Sequence, residues 1–238
     1  MSKVTKKNKH KLDLSSELQS TRHKCRLLLL LDALERVGIA PVPMKKLHAF
    51  AYLADVLSPV WGFLPYDGKI YKMESGPHYS DLQKELDSLV MLRLVTILDL
   101  KYIDAGKGGA WIDGFYQLNL SSENLMPILD KLGGCEVSDA LDHRDVLNHK
   151  YLVELASALA TLPQDEIDLA AQVDATYSSP SHSNHKVIDF AATTEATREN
   201  LSVVVTEKFQ NFMPTATHLT PGERVYLYAN YLGQKLSA

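Results

Sequence analysis

The stretch from Arg22 to Leu120 constrains the fold most strongly, because the spacing of its apolar residues changes along the way. From Arg22 to Val37, Leu27, Leu30, Leu31 and Leu34 recur at i, i+3, i+4 and i+7, one buried helical face that Leu28 and Leu29 widen. Gly38 stops that helix. A second helix is predicted from Pro43, a residue suited to a first helical turn, to Leu57. Leu47, Phe50, Ala51 and Ala54 form its apolar face, with Lys45, Lys46 and His48 on the other sides. Ser58-Pro59 ends it, since the residue before a proline disfavours the helical region. After an aromatic, irregular segment with a short strand at Ile70–Lys72, Gly76-Pro77 precedes a third helix. There Ser80 and Gln83 have capping-box spacing, and Leu82, Leu86, Leu89 and Val90 keep the helical period. Then the period shortens. Val95 to Tyr102 reads as a strand, Asp104 to Gly109 as a glycine-rich turn, and Trp111 to Leu118 as the return strand.

Three helices followed by a hairpin is the order of a winged helix. The predicted fold is therefore mainly α with a small β-hairpin (α+β): an N-terminal winged-helix-like domain over residues 21–134 and a helical C-terminal region over 135–238. Residues 1–20 are polar, Lys-rich and without apolar periodicity, and are read as a basic disordered arm. A short helix from Ser121 to Leu132 closes at Gly133-Gly134, the candidate boundary. Beyond it, helices are predicted over Asp145–Leu162, Pro163–Ala175 and Thr197–Phe212, with a polar loop at Ser178–Lys186. Thr220-Pro221-Gly222-Glu223 combines an N-cap, a proline at the first position and a glutamate at the third, opening a last helix to about Leu236.

Charge is unevenly placed. Met1 to Arg26 holds eight lysines and arginines against Asp13 and Glu17, a local +6; with a net charge of −4 the remainder carries −10. A basic arm on an acidic body contacts nucleic acid or an acidic partner, or is simply solvated; Lys6, Lys7, Lys9 and Lys11 are its candidate DNA-binding residues. The predicted recognition helix is a poor fit to phosphates, with Lys84 and Arg93 set against Asp81, Glu85 and Asp87. Cys25 and Cys135 form no CxxC pair, and the run Leu27–Leu31 is too short to span a membrane or to act as a secretory signal. The expected compartment is the cytoplasm.

No constellation for chemistry accompanies the fold. There is no GxxxxGK[ST], no GxSxG and no HExxH, and Gly106-Lys107-Gly108-Gly109 joins two strands rather than a strand and a helix. Of the nine histidines, His182 and His185 share a serine-rich loop, and His143 and His149 read as capping and surface groups. Asp165-Glu166 sits at a helix start, where acids oppose the dipole. The chain is expected to be no enzyme and to hold no cofactor or metal. Partner contacts are assigned to Trp61 in the cluster with Phe63, Tyr66 and Tyr71, and to Tyr226 and Tyr231 of the last helix, because three tyrosines with Tyr228 cannot all face inward.

Three runs carry a resemblance: Leu34-Glu35-Arg36-Val37-Gly38-Ile39-Ala40-Pro41; Leu47-His48-Ala49-Phe50-Ala51-Tyr52-Leu53-Ala54-Asp55-Val56-Leu57-Ser58-Pro59-Val60-Trp61; and Gly76-Pro77-His78-Tyr79 before an amphipathic helix. Over about Leu28 to Leu118 the chain resembles the small middle component of three-component Lamassu-type defence systems built on an SMC-like ABC ATPase. The resemblance implies an accessory subunit that joins the DNA-sensing ATPase to an effector nuclease, in defence against phage or plasmid DNA, with double-stranded DNA reached through the complex. A rival resemblance, to the Panacea-type antitoxin domain, rests on Tyr52-Leu53-Ala54 and the Gly-Pro before a helix, and leaves the helical half after Asp142 unexplained. A winged-helix transcription regulator is the third alternative.

Overall fold

A computed structural model of the chain describes residues 2–65, 69–104, 110–133, 143–180, 187–190, 200–214 and 218–237; of residues 2–16, 103, 104, 110–112 and 143–147 it describes the backbone alone. Helix α1 spans Ser2–Arg36, so it begins at Ser2 rather than near Arg22, and the arm expected to be disordered continues the helix. No glycine or proline lies between its ends, and its lysines, leucines, arginines and glutamates are good helix formers. Once the Cys25–Arg36 end packs, extending the helix needs no new nucleus. Gly38, at φ 73°, terminates it, while the Ile39 N–H donates to the Leu34 carbonyl at 2.9 Å.

Strand β1 (Val42–Pro43) leads directly into α2 (Met44–Leu57), with Pro43 at the N-cap rather than inside the first turn, and a 3-10 turn follows over Ser58–Trp61. The hairpin β2 (Lys69–Met73) and β3 (Gly76–His78) stands between α2 and α3 (Leu82–Met91). The expected Ser80 capping box does not form. Asp81 is the N-cap without a side-chain bond, and Gln83 donates sideways to Asp87 at 2.6 Å. Strands β4 (Val95–Asp104) and β5 (Ala110–Leu118) follow, then α4 (Leu125–Lys131), α5 (His143–Leu159), α6 (Ile167–Val173), β6 (Val187–Asp189), α7 (Leu201–Gln210) and α8 (Pro221–Leu236). The capping box at the start of α8 is formed in both directions: the Glu223 N–H donates to Thr220 Oγ1 at 3.2 Å, and the Thr220 N–H to Glu223 Oε2 at 2.7 Å.

The protein is mainly α with two small antiparallel sheets of three strands, ordered β1-β5-β4 and β3-β2-β6. In the first, Val42 stands opposite Tyr116, and β4 pairs with β5 from Val95↔Leu118 to Asp104↔Ala110. A bulge between Leu98 and Lys101 puts Asp99 at φ 49°. Gly114 lies across from it. A Cβ there would meet Ile97 Cγ2 at 2.7 Å, so the bulge and the glycine require each other. The second sheet takes β2 and β3 from before Gly133 and β6 from after it.

The expected boundary at Gly133-Gly134 adjoins undescribed residues, and a single apolar core runs through the residues on both sides of it, from Leu27 through Phe50 and Leu155 to Leu232. Helix α1 packs on α5 and α3, α2 on α6 and α7, and α5 on α8. Enclosed this way, α2 is buried at every position from Leu47 to Leu57, His48 and Asp55 included, rather than along one face. Among the described residues no helix is long and apolar enough to cross a membrane.

Candidate functional site

Several polar groups of the interior are occupied by one another. At the end of α6, Asp174 is fully buried and accepts five hydrogen bonds: from the hydroxyls of Tyr52 (2.5 Å), Tyr228 (2.6 Å) and Ser202 (2.6 Å), and from the N–H groups of Thr176 (3.0 Å) and Tyr177 (2.9 Å). Thr176 and Ser202 also bond each other at 2.7 Å, and Asn200 caps α7 while its amide donates to the Val56 carbonyl at 2.7 Å. The knot ties α2, α6, α7 and α8 together. Burial, reinforced by the Asp174 charge, pushes the Tyr52 and Tyr228 phenols far above their ordinary range, so both act as fixed donors.

Two further buried acids hold α1. Arg26 reaches Asp55 Oδ1 at 2.7 Å and the Ala51 carbonyl at 2.9 Å, while the Tyr79 hydroxyl donates to Asp55 Oδ2 at 2.7 Å. Asp32 receives Arg36 at 2.7 Å and stands 2.6 Å from His149 Nε2. Burial works against the Asp32 charge, but the hydrogen bonds from His149 and Arg36 outweigh it and hold the carboxyl below its usual range. His149 is therefore a buried link between α1 and α5 rather than a surface group. His48 is buried in α2, where its Nδ1 accepts the Tyr79 N–H at 3.2 Å; burial, and then the nearby His78, lower its pKa to about 3.

The surface behaves differently on the β4–β5 hairpin. Leu98 and Phe115 face each other across the strands, next to Pro43 of β1, and both are exposed. Leu100, within the bulge, is 60% exposed, and Tyr102, which the bulge turns to the face opposite Leu98, is 75% exposed. Met91 at the end of α3 is 85% exposed, and Leu92 and Leu120 lie in solvent at the base of the hairpin. There the Asn119 amide bonds the Arg93 carbonyl at 2.9 Å and brings those turns together. Single exposed apolar residues are ordinary; here they stand on both faces of one hairpin and at its base, and that concentration in one element makes it a candidate interaction surface. The outward positions of α3 are mixed: Asp81, Lys84 and Asp87 precede Met91.

Of the predicted partner residues, Trp61 lies against the start of α8, where a Cβ on Gly222, one turn before Tyr226, would stand 3.9 Å from its ring. Trp61 is half-buried against Tyr151, with ring centroids 5.8 Å apart, and its buried Nε1 has no hydrogen-bond partner among the described residues. Tyr226 and Tyr231 are half-buried; Tyr231 packs 6.4 Å from Phe209 and 5.7 Å from Tyr228, with Lys235 Nζ over its ring at 5.4 Å. All three residues serve helix packing first. Lys6, Lys7, Lys9 and Lys11 lie on the backbone of α1, and their side chains, like His182 and His185, are outside the described residues. Sequence reasoning missed the exposed apolar residues of the hairpin; Leu98, Leu100 and Tyr102 alternate in the sequence, but the bulge between Leu98 and Lys101 divides them between the two faces of the edge strand. Asp174 gave no such signal, because its donors come from positions 28 to 122 residues away or from its own turn. Compared with known protein families, curated proteins and solved structures, the chain matches none.

Proposed function

We propose that this chain is a non-enzymatic accessory subunit that bridges an SMC-like ATPase and an effector nuclease in defence against phage or plasmid DNA. The observation that carries the reading is the set of exposed apolar side chains on the β4–β5 hairpin, Leu98 and Phe115 on one face and Leu100 and Tyr102 on the other, which suits a protein partner and not a phosphate backbone. The element order supports a winged-helix-like unit used for assembly: β1 lies between α1 and α2, and the sheet runs β1-β5-β4. The mixed charge of α3 supports assembly over base reading. The buried acids add to this, since Asp32, Asp55 and Asp174 are each engaged in holding helices together. The resemblance over Leu28 to Leu118 names the partners.

The test is capture of partners by the tagged full chain in its native host, read by mass spectrometry. Recovery of a large coiled-coil ATPase together with a nuclease-like protein is the expected result. Recovery of a small toxin alone, or of one specific duplex alone, contradicts the proposal in favour of the antitoxin or the regulator. The DNA contact in this reading falls to Lys6, Lys7, Lys9 and Lys11. Replacing all four with glutamine flattens the slope of log binding constant against log salt by up to about 0.9 per lysine in contact. An unchanged slope removes these residues from DNA binding.

A further inference from the structure

Helix α1 is one uninterrupted element from Ser2 to Arg36. Its second half is tied down. Ser20 Oγ donates to Glu85 Oε2 at 2.8 Å, Lys24 Nζ stands 3.3 Å from the same oxygen, Arg26 reaches Asp55 at 2.7 Å, and Arg36 meets Asp32 at 2.7 Å. Just before it, Glu17, Leu18 and Gln19 are exposed. At a rise of about 1.5 Å per residue, Lys3 lies about 25 Å along the axis from Ser20. The helical period sorts the residues of that first half. Lys3, Lys6, Lys7, Lys9, His10 and Lys11 occupy positions within about 200° of the circumference, and Val4, Thr5, Asn8 and Leu12 occupy the other side. No acid precedes Asp13; Asp13 and Glu17 then fall on the basic side and close it. The basic side spans about 12 Å of axis, a length over which duplex DNA carries about seven phosphate charges.

Composition selects the occupant. Residues 1–26 hold no Phe, Tyr or Trp, so they offer no ring for unpaired bases to stack on. Among residues 2–11 the basic side has no apolar position to anchor a protein, and lysine is depleted from protein interfaces. With neither Arg, Asn nor Gln, that side also lacks the planar forked groups best suited to base edges. We infer that the first turns of α1 bind duplex DNA as a preformed helix, with the basic side on the phosphates and no sequence preference. The inference rests on the DNA contact assigned above to Lys6, Lys7, Lys9 and Lys11, adds Lys3 and His10 to it, and states the form in which they bind.

The probes are two short fluorescein-labelled DNA duplexes of unrelated sequence and a single strand of the same length, titrated by anisotropy against the full chain. The wild-type chain binds both duplexes alike and more tightly than the strand. Two variants keep the net charge. Asn8→Pro lets α1 start only at residue 8 and takes Lys3, Lys6 and Lys7 out of the helix. Thr5→Lys/Lys6→Thr/Asn8→Lys/Lys9→Asn keeps the composition and the helix but sets two lysines on the opposite side. Each weakens duplex binding at least about fivefold, and Asn8→Ala does not. The changes lie before Ser20, so the wild-type thermal transition is retained. Wild-type affinity in either variant, preference for one duplex, or tighter binding of the single strand overturns the inference. If replacing the four lysines with glutamine abolishes binding while Asn8→Pro leaves it intact, the lysines remain the DNA contact and the helix is removed from it. If the wild-type chain binds duplex no better than the four-glutamine variant, contact and helix both fall. Capture of the ATPase and the nuclease is scored separately, and the assembly proposal stands or falls on that result alone.

Discussion

Around Asp174, five donors converge on one fully buried carboxylate, while on the β4–β5 hairpin Leu100 and Tyr102 stand in solvent with most of their area uncovered. The usual partition of polar outside and apolar inside is reversed in both places. A buried carboxylate is costly unless it is fully hydrogen-bonded, so the Asp174 knot persists because every donor is placed. Exposed apolar area forgoes burial energy and gains nothing within the isolated chain. The interior departure is thus resolved within the chain, and the surface departure is the one the assembly proposal assigns to a second molecule. This contrast separates residues whose loss unfolds the protein from residues whose loss leaves it folded and isolated.

The strongest way to break the contrast is Asp174→Ala. It leaves three hydroxyls and two N–H groups around the site without their acceptor, and is expected to cost about 3–5 kcal/mol in urea unfolding. A loss below about 1 kcal/mol means the knot does not hold α2, α6, α7 and α8 together. Next in size is the pH dependence owed to His48. Its folded pKa of about 3 lies below the ordinary value of 6.5, so the unfolded chain takes up the proton first. The stability from keeping His48 neutral is whole above about pH 6.5 and declines as pH falls toward 3, by about 2 kcal/mol between pH 7 and pH 5. His48→Gln retains an acceptor for the Tyr79 N–H and removes that share of the slope; identical slopes in both proteins exclude the assignment. Smallest is the effect of the hairpin on stability. Leu100→Asp with Tyr102→Asp is expected to shift the unfolding free energy by less than about 0.5 kcal/mol, because these side chains are already in water. A larger loss means that the hairpin surface is part of the fold.

Much of the architecture was legible in the sequence wherever one local rule decided it. The 3.6-residue stripe of Leu27, Leu30, Leu31 and Leu34, the stop at Ser58-Pro59, and the capping box at Thr220 and Glu223 each depend on neighbours a few residues apart. Ser80 and Gln83 show the limit of the same reasoning, since correct spacing did not produce a bond once Asp87 and Tyr116 competed for Gln83. Three short strands escaped notice. Val42–Pro43, Gly76–His78 and Val187–Asp189 have too few residues to show alternation; a distant partner makes the first and last of them strands, and the neighbouring Lys69–Met73 does so for Gly76–His78. The start of α1 was misplaced for the opposite reason: a polar, Lys-rich run lacks an apolar stripe yet contains nothing that stops a helix already begun. The candidate surface was half legible. Leu98, Leu100 and Tyr102 are visible as alternating residues, but the bulge at Asp99, which divides them between two faces, and their exposure are properties of the folded chain.

The most direct test of the assembly role is a side-by-side capture from the native host with the wild-type chain and the Leu100→Asp/Tyr102→Asp variant, scored by quantitative mass spectrometry after both are shown to melt alike. The account predicts that the wild-type chain recovers a coiled-coil ATPase and a nuclease-like protein, and that the folded variant loses at least one of them. Recovery of both partners at wild-type levels by the variant, or of neither by the wild-type chain, contradicts it.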